Sequence, residues 1–142
     1  MKVKDVMTNQ VIRISPEESA SVAARTLTHY NIGVLPVCTH DGKVCGMLTD
    51  RDIVTRCLAA ERAPGKTRVG EIMTASVVSA TPDMEAGAAA AAMAKAQVRR
   101  LPVVDRGKLC GMVTLGDLSR NEESAYDATD ALAEITSNVS SR

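Results

Sequence analysis

Two stretches of this 142-residue chain carry side chains that could do chemistry together. One is Gly46-Met47-Leu48-Thr49-Asp50-Arg51-Asp52; the other is Gly111-Met112-Val113-Thr114-Leu115-Gly116-Asp117. Each puts a Thr three residues before an Asp, where a strand is expected to run into a helix. In its plainest use this is a capping box, with Asp in the usual place of Glu or Gln. The Thr oxygen accepts from a first-turn N–H, and the carboxylate accepts from the N–H of the Thr. In a second use the same pair receives a ribose phosphate. The carboxylate accepts from the sugar diol, while the hydroxyl and helix-end N–H groups donate to phosphate. Recurrence at equivalent places, each time after Gly-Met, favours the second use.

Three cations accompany these stretches. Arg99 and Arg100 stand just before Leu101-Pro102, and Arg51 lies inside the first stretch, where the second has Gly116. An arginine presents a planar fork suited to phosphate oxygens, although a pair at a strand end also fits plain solvation. Other chemistries find little support. There is no Gly-x-Ser-x-Gly, no P-loop and no His-Glu-x-x-His, and His29 and His40 lack a triad partner, so no catalytic residue is expected. Cys38, Cys45, Cys57 and Cys110 form no Cys-x-x-Cys pair, and Asp50-Arg51-Asp52 is too local for a metal site. Three of the cysteines sit in apolar runs as small hydrophobes, with Cys57 the more exposed. Met7, Met47, Met73 and Met112 read as core or cleft lining.

The elements that must position these residues follow from an internal repeat. Val6-Met7-Thr8 returns as Ile72-Met73-Thr74, an offset of 73 − 7 = 66, and so do Ser15-Pro16 as Thr81-Pro82 and Leu35-Pro36-Val37 as Leu101-Pro102-Val103. After one residue is lost in a turn, Asp52 matches Asp117. The spacing predicts, in each copy, a short strand (11–14; 77–79), a helix (19–30; 84–96), two strands joined by a tight turn (34–38 and 44–49; 101–104 and 109–114) and a second helix (50–60; 115–121). The fold class is therefore α/β (α+β), two β-α-β-β-α repeats, each too small to bury both faces of its own sheet. The domains expected are 1–60, a linker 61–68 with Pro-Gly punctuation, 69–121, and a helical tail 122–142. In the tail, Ala128, Leu132, Ile135 and Val139 make an amphipathic stripe, with 121–126 its approach and 137–142 fraying.

Composition narrows the function classes. Lys and Arg number 17, as do Asp and Glu, so the formal charge is zero, which disfavours nucleic-acid binding. Aromatics are 1% of residues, with only Tyr30 and Tyr126, which disfavours base stacking on rings. Hydrophobic residues still make up 45%, so a planar ligand would be held between aliphatic walls. The first residues lack an apolar signal-peptide core, and the longest apolar run, Ala86 to Ala94, is too short to span a membrane. A reduced, cytoplasmic protein is expected.

With these motifs in order and present twice, the chain resembles a stand-alone bacterial pair of CBS (cystathionine β-synthase) motifs. The resemblance rests on Val3-x-Asp5-x-Met7-Thr8, Ser15-Pro16, Val34-Leu35-Pro36-Val37 and Gly46-x-x-Thr49-x-x-Asp52 with their counterparts, and covers about the first 121 residues. It implies a module with pseudo-two-fold symmetry and two clefts between the copies. Such clefts bind adenosine derivatives: AMP, ADP, ATP, S-adenosylmethionine or NAD. It further implies a homodimer that regulates an unidentified protein, without catalysis and without an obligatory cofactor. Ribose-binding Asp falls on Asp52 and Asp117, and the hydroxyl on Thr49 and Thr114.

The γ subunit of AMP-activated protein kinase, in the same family, implies that each cleft draws its basic residues from the other copy. Asp52 and Thr49 would then meet Arg99, Arg100 and Val78. Asp117 and Thr114 would meet Gly33, Val34 and Ile12, with Arg51 the matching cation. Unequal sites follow, with the Asp52 site preferring the more phosphorylated ligand. The alternative is a structural or dimerisation module with vacant clefts.

Overall fold

The computed structural model describes residues 1–139, with side chains as far as Ser137. The chain divides into two compact units: one is Ile12–Val77, the other joins Met1–Val11 to the chain from Val78 onward. We call the first the central unit and the second the terminal unit.

In the central unit, helix α1 (Ala20–Tyr30) begins at Ser19, whose hydroxyl oxygen accepts from the Val22 N–H at 3.1 Å. It ends at Asn31, left-handed at φ 53°, a conformation Asn tolerates. Strands β1 (Val34–Cys38) and β2 (Val44–Thr49) pair antiparallel, and Gly42 at φ 88° makes the turn that a side chain would strain. Helix α2 (Asp50–Ile53) continues as a π turn, Val54–Leu58, and the short α3 (Val69–Ile72) follows the connector. The core gathers Leu35, Val37 and Leu48 from the strands with Leu27, Ile53 and Ile72 from the helices.

The terminal unit repeats the plan. Helix α4 (Ala86–Ala96) precedes the antiparallel strands β3 (Arg100–Asp105) and β4 (Lys108–Thr114), then α5 (Leu115–Ser119) and the long α6 (Glu122–Val139). Its core holds Leu101, Val103 and Val113 against Met93, Leu118 and several alanines. The alanines of α4 let its neighbours approach closely while keeping helix propensity high.

The two compact units cut across the sequence repeat because each opening arm pairs with the other copy's second strand. Thr8 exchanges backbone hydrogen bonds with Met112 of β4 (2.8 and 3.0 Å), and Thr74 does so with Met47 of β2 (2.9 Å each). The arm crosses directly over a glycine. A Cβ on Gly111 would lie 2.8 Å from the Thr8 carbonyl oxygen, and one on Gly46 would lie 3.0 Å from that of Thr74. The glycine of each Gly-Met pair is therefore a requirement of close backbone approach.

Several expectations change. The strands expected over 11–14 and 77–79 reduce to single bridging residues, Ile14 beside Val37 and Ala80 beside Val103. The Ser-Pro and Thr-Pro steps just beyond them remove the next ladder donor. The second helix of the first copy stops being α-helical at Ile53 and closes as a π turn, which carries Cys57 into the core, fully buried instead of exposed. The tail helix starts at Glu122, because Asn121 accepts from the Glu123 N–H at 3.1 Å, and it packs on α4 and α5. Its buried stripe is Ser124, Ala128, Ala131 and Ile135, while Leu132 is 41% exposed. The helix continues through the first part of the expected fraying to Val139; residues 140–142, and the side chain of Val139, lie outside the described residues.

Candidate functional site

Each Thr-x-x-Asp stretch closes a capping box at the strand-to-helix junction. In the central unit the Thr49 N–H donates to Asp52 Oδ2 at 3.0 Å, and the Asp52 N–H donates to Thr49 Oγ1 at 3.1 Å. In the terminal unit the corresponding distances at Thr114 and Asp117 are 2.9 and 3.0 Å. The capping role is thus real in both copies, and it uses one carboxylate oxygen and the hydroxyl lone pair. The Oδ1 atoms remain for a further partner.

In each unit that partner is an arginine on the following turn. Arg56 Nη1 stands 3.6 Å from Asp52 Oδ1, and Arg120 Nη2 donates to Asp117 Oδ1 at 2.5 Å. The Asp side chains are 13% and 10% exposed. Neither arginine stands out from the sequence, although their i+4 and i+3 spacing from the Asp on a helical turn is the signal that could have found them. They are held differently. Arg56 also donates to the Ile72 carbonyl at 3.0 Å and to Thr74 Oγ1 at 3.2 Å, which fixes it to the arm. Arg120 is 72% exposed, with Asp117 as its ion-pair partner.

Strand pairing sets the surroundings. In the central unit Val34 is registered with Thr49, and the Gly33 carbonyl accepts from the Asp50 N–H at 3.2 Å, so Gly33 and Val34 lie beside the box. Arg51 is exposed there and Ile12 half-buried in the same unit. In the terminal unit Arg100 is registered with Thr114, and the Arg99 carbonyl accepts from the Leu115 N–H at 2.9 Å. The structure therefore brings Arg99 and Arg100 together with Thr114, in a cleft of about 350 Å³ that also borders Gly116 and Ser119. Thr129 and Leu132 of α6 form another side of that cleft, a contribution the sequence hides because its apolar stripe turns Leu132 inward. Val78 belongs to the terminal unit and is exposed.

Other groups do not form a site. Among the described residues no cluster of His, Cys, Asp or Glu could hold a metal ion, and no helix is long and apolar enough to cross a membrane. The cysteines are free. Burial pushes the thiols of Cys38, Cys45 and Cys110 up, and the repeat mates Cys45 and Cys110 donate to the carbonyls of Val37 and Val103 at 3.4 and 3.3 Å.

Two copies of a small α/β unit, each with a capped carboxylate at the mouth of its second helix, define a tandem-repeat module. The family model described as "CBS domain" matches residues 3–59 and 69–124, so the chain belongs to the CBS domain family as a tandem pair. It is 44% identical over 134 residues to the CBS domain-containing protein YhcV of Bacillus subtilis, covering 94% of each chain. Among solved structures, it is similar to Hypoxic Response Protein I with two coordinated zinc ions. That likeness has a TM-score of 0.79 and 34% identity, over 84% of this chain and 98% of that one. It is also similar to the CBS domain pair of protein MJ0100 in complex with 5′-methylthioadenosine and S-adenosyl-L-methionine. There the TM-score is 0.75 and the identity 34%, over 84% of this chain and 94% of that one.

Proposed function

We propose that this protein is a non-enzymatic sensor of adenosine-derived ligands, with Asp52 and Asp117 as the two ribose-binding carboxylates. The observation that carries this reading is the matched pair of Asp side chains. Each is held in one orientation by its cap, with Oδ1 turned away from the cap. A fixed carboxylate oxygen is a good acceptor for a sugar diol, because its orienting cost is met before the ligand arrives. Likeness to a CBS pair that holds two adenosyl compounds supports the ligand class. Thr49 and Thr114, with Gly33 and Val34 or Arg99 and Arg100 alongside, complete the polar lining. Ile12, Val78 and Arg51 are the further residues proposed from the family resemblance.

Within this reading the ligand is AMP, ADP, ATP or another adenosyl compound, and the protein works as a cytoplasmic homodimer. Occupancy then shifts a conformational equilibrium by its difference in affinity between states, and a regulated protein reads that shift. A structural module is the second reading, favoured by one fact: both carboxylates already have arginine partners within the chain. Calorimetric titration with AMP and with 5′-methylthioadenosine separates the two. Binding that weakens at least tenfold in Asp52→Ala or Asp117→Ala supports the sensor, since a lost charge-assisted pair of hydrogen bonds costs about that much. No heat and no shift in melting temperature with either ligand supports the structural module.

A further inference from the structure

The homodimer proposed above, on which this inference rests, needs a surface that joins the two copies. Between α4 and α6 of the terminal unit runs a groove of about 500 Å³. Ala90, Ala91 and Ala94 make its floor, and Asp127, Asp130 and Glu134 of α6 make its wall. Gly87 lets the wall come close, since a Cβ there would lie 3.1 Å from Asp127 Oδ2. None of the three carboxylates has an ion-pair partner among the described residues. Glu85 and Glu123 share the N-terminal amine at 3.3 and 3.5 Å, and Glu122 stands exposed at the head of α6. Arg99 and Arg100 border the other flank of α6, beside Thr129 and Leu132. Lys95, exposed in the last turn of α4, is the one cation within Ala86–Ala96 and Glu122–Val139, so the groove keeps a surplus of negative charge. Such a groove suits an apolar ridge with a cation beside it, because an alanine floor leaves room for large side chains and the wall attracts positive charge.

The central unit presents such a ridge. Val54 and Leu58, on the turn that continues α2, are 54% and 52% exposed. Arg51, one turn before Val54, is exposed, as is Arg25 of the neighbouring α1. Neither arginine has an ion-pair partner among the described residues. The carboxylates of this segment are turned away or taken. Asp50 Oδ1 accepts from the Arg51 N–H at 2.8 Å while its Oδ2 faces Gly33, and Asp52 holds Arg56. Glu61 is exposed past the end of the segment, and Arg62 pairs with Glu71 at 2.8 Å. We propose that two copies of this chain join head to tail: Val54 and Leu58 of one copy enter the α4–α6 groove of the other, and Arg51 meets its carboxylate wall. In a two-fold pair the contact is made twice. Pairing like with like is disfavoured. Groove on groove sets acid against acid, and ridge on ridge sets Arg51 near its own copy and leaves the alanine floor bare. Because α6 lies beyond the β-α-β-β-α repeat, the central unit has no counterpart to the groove. The same helix thus covers its own unit and seats the other copy.

The test is sedimentation velocity of the full chain over a range of concentrations, with no ligand added. The unsubstituted chain is expected to form a dimer. Leu58 supports no core in the single chain, so Leu58→Asp acts on association and is expected to weaken it at least about tenfold. Arg51→Glu in one chain, and Asp130→Lys with Glu134→Lys in another, are each expected to weaken self-association by a similar factor. Mixed in equal amounts, these two chains are expected to regain the dimer, because every contact between them then joins opposite charges. Should the wall variant fold poorly, Leu58→Asp and Arg51→Glu carry the test. A dimer that Leu58→Asp leaves intact, or a mixture no tighter than its parts, overturns the head-to-tail contact and leaves the homodimer standing. An unsubstituted chain that stays monomeric at every concentration overturns the homodimer and the contact together.

Discussion

The central and terminal units share a plan yet solve one problem differently: what covers the helix that follows the second strand. In the terminal unit α6 lies along α4 and α5, and Leu115 and Leu118 are buried. The central unit has no such helix among the described residues, and the α2 segment instead winds into a π turn that leaves Val54 and Leu58 about half exposed. The difference shows how a duplicated sequence diverges. The strands and the capping box are fixed by backbone geometry and stay alike, whereas the helical cover is an appendage that one copy has and the other lacks. The Asp on each side keeps its cap, and the arginine that meets it is exposed in one unit and tethered in the other.

The sharpest way to break this comparison is to remove the cover's anchor. Ile135, 4% exposed, seats α6 in the terminal core. Ile135→Ala is expected to cost about 2–4 kcal/mol in denaturant unfolding, from lost burial and the cavity left behind. Leu58→Ala, at 52% exposure on the uncovered central helix, is expected to change stability by less than about 0.5 kcal/mol. Equal costs would mean that the central helix is covered in solution as well.

The crossing arms are next in size and should act alike in both units. Gly111→Ala and Gly46→Ala each push a Cβ against a backbone carbonyl that cannot rotate away, so either is expected to cost about 1–3 kcal/mol. Thermal unfolding of the two variants side by side checks this. A neutral Gly111→Ala with a costly Gly46→Ala would show that the Thr8 arm is the looser of the two. The caps come after them, at about 1 kcal/mol for Thr49→Ala and the same for Thr114→Ala, read by chemical denaturation. A large inequality between them would mean that one box carries more than its cap.

Much of this is legible in the sequence because backbone requirements leave local marks. The strands 34–38 and 44–49 appear where the apolar runs and the tight turn between them put them, and α1 (Ala20–Tyr30) fills the helix expected over 19–30. The capping boxes are visible for the same reason. What escapes is set by pairing between distant segments. The pattern Val11 to Ile14 looks like a strand, but only Ile14 finds a partner. The apolar stripe of α6 runs one residue out of phase at Leu132, because Ala131 and Leu132 lie on adjacent faces and the pattern favours the larger side chain. In the structure a small residue is needed where α6 meets the alanine face of α4, so Ala131 goes inside. Of the candidate site, the Asp and Thr positions are legible, while the arginines that meet them are not, since a cation on a helical turn usually marks solvent.

The smallest effect tests the difference in how those arginines are held. Arg56 combines its ion pair with hydrogen bonds to Ile72 and Thr74, and so ties α2 to the arm that crosses β2. Arg56→Ala removes all three and is expected to cost about 1 kcal/mol, with part of it coming from the stranded Ile72 carbonyl. Arg120→Ala removes one exposed pair and is expected to cost no more than about 0.5 kcal/mol, less in high salt. Denaturant unfolding at low and high salt measures both. A small Arg56 effect would show that the tether does not hold the arm. A large, salt-insensitive Arg120 effect would show that this side chain is part of the terminal unit's framework.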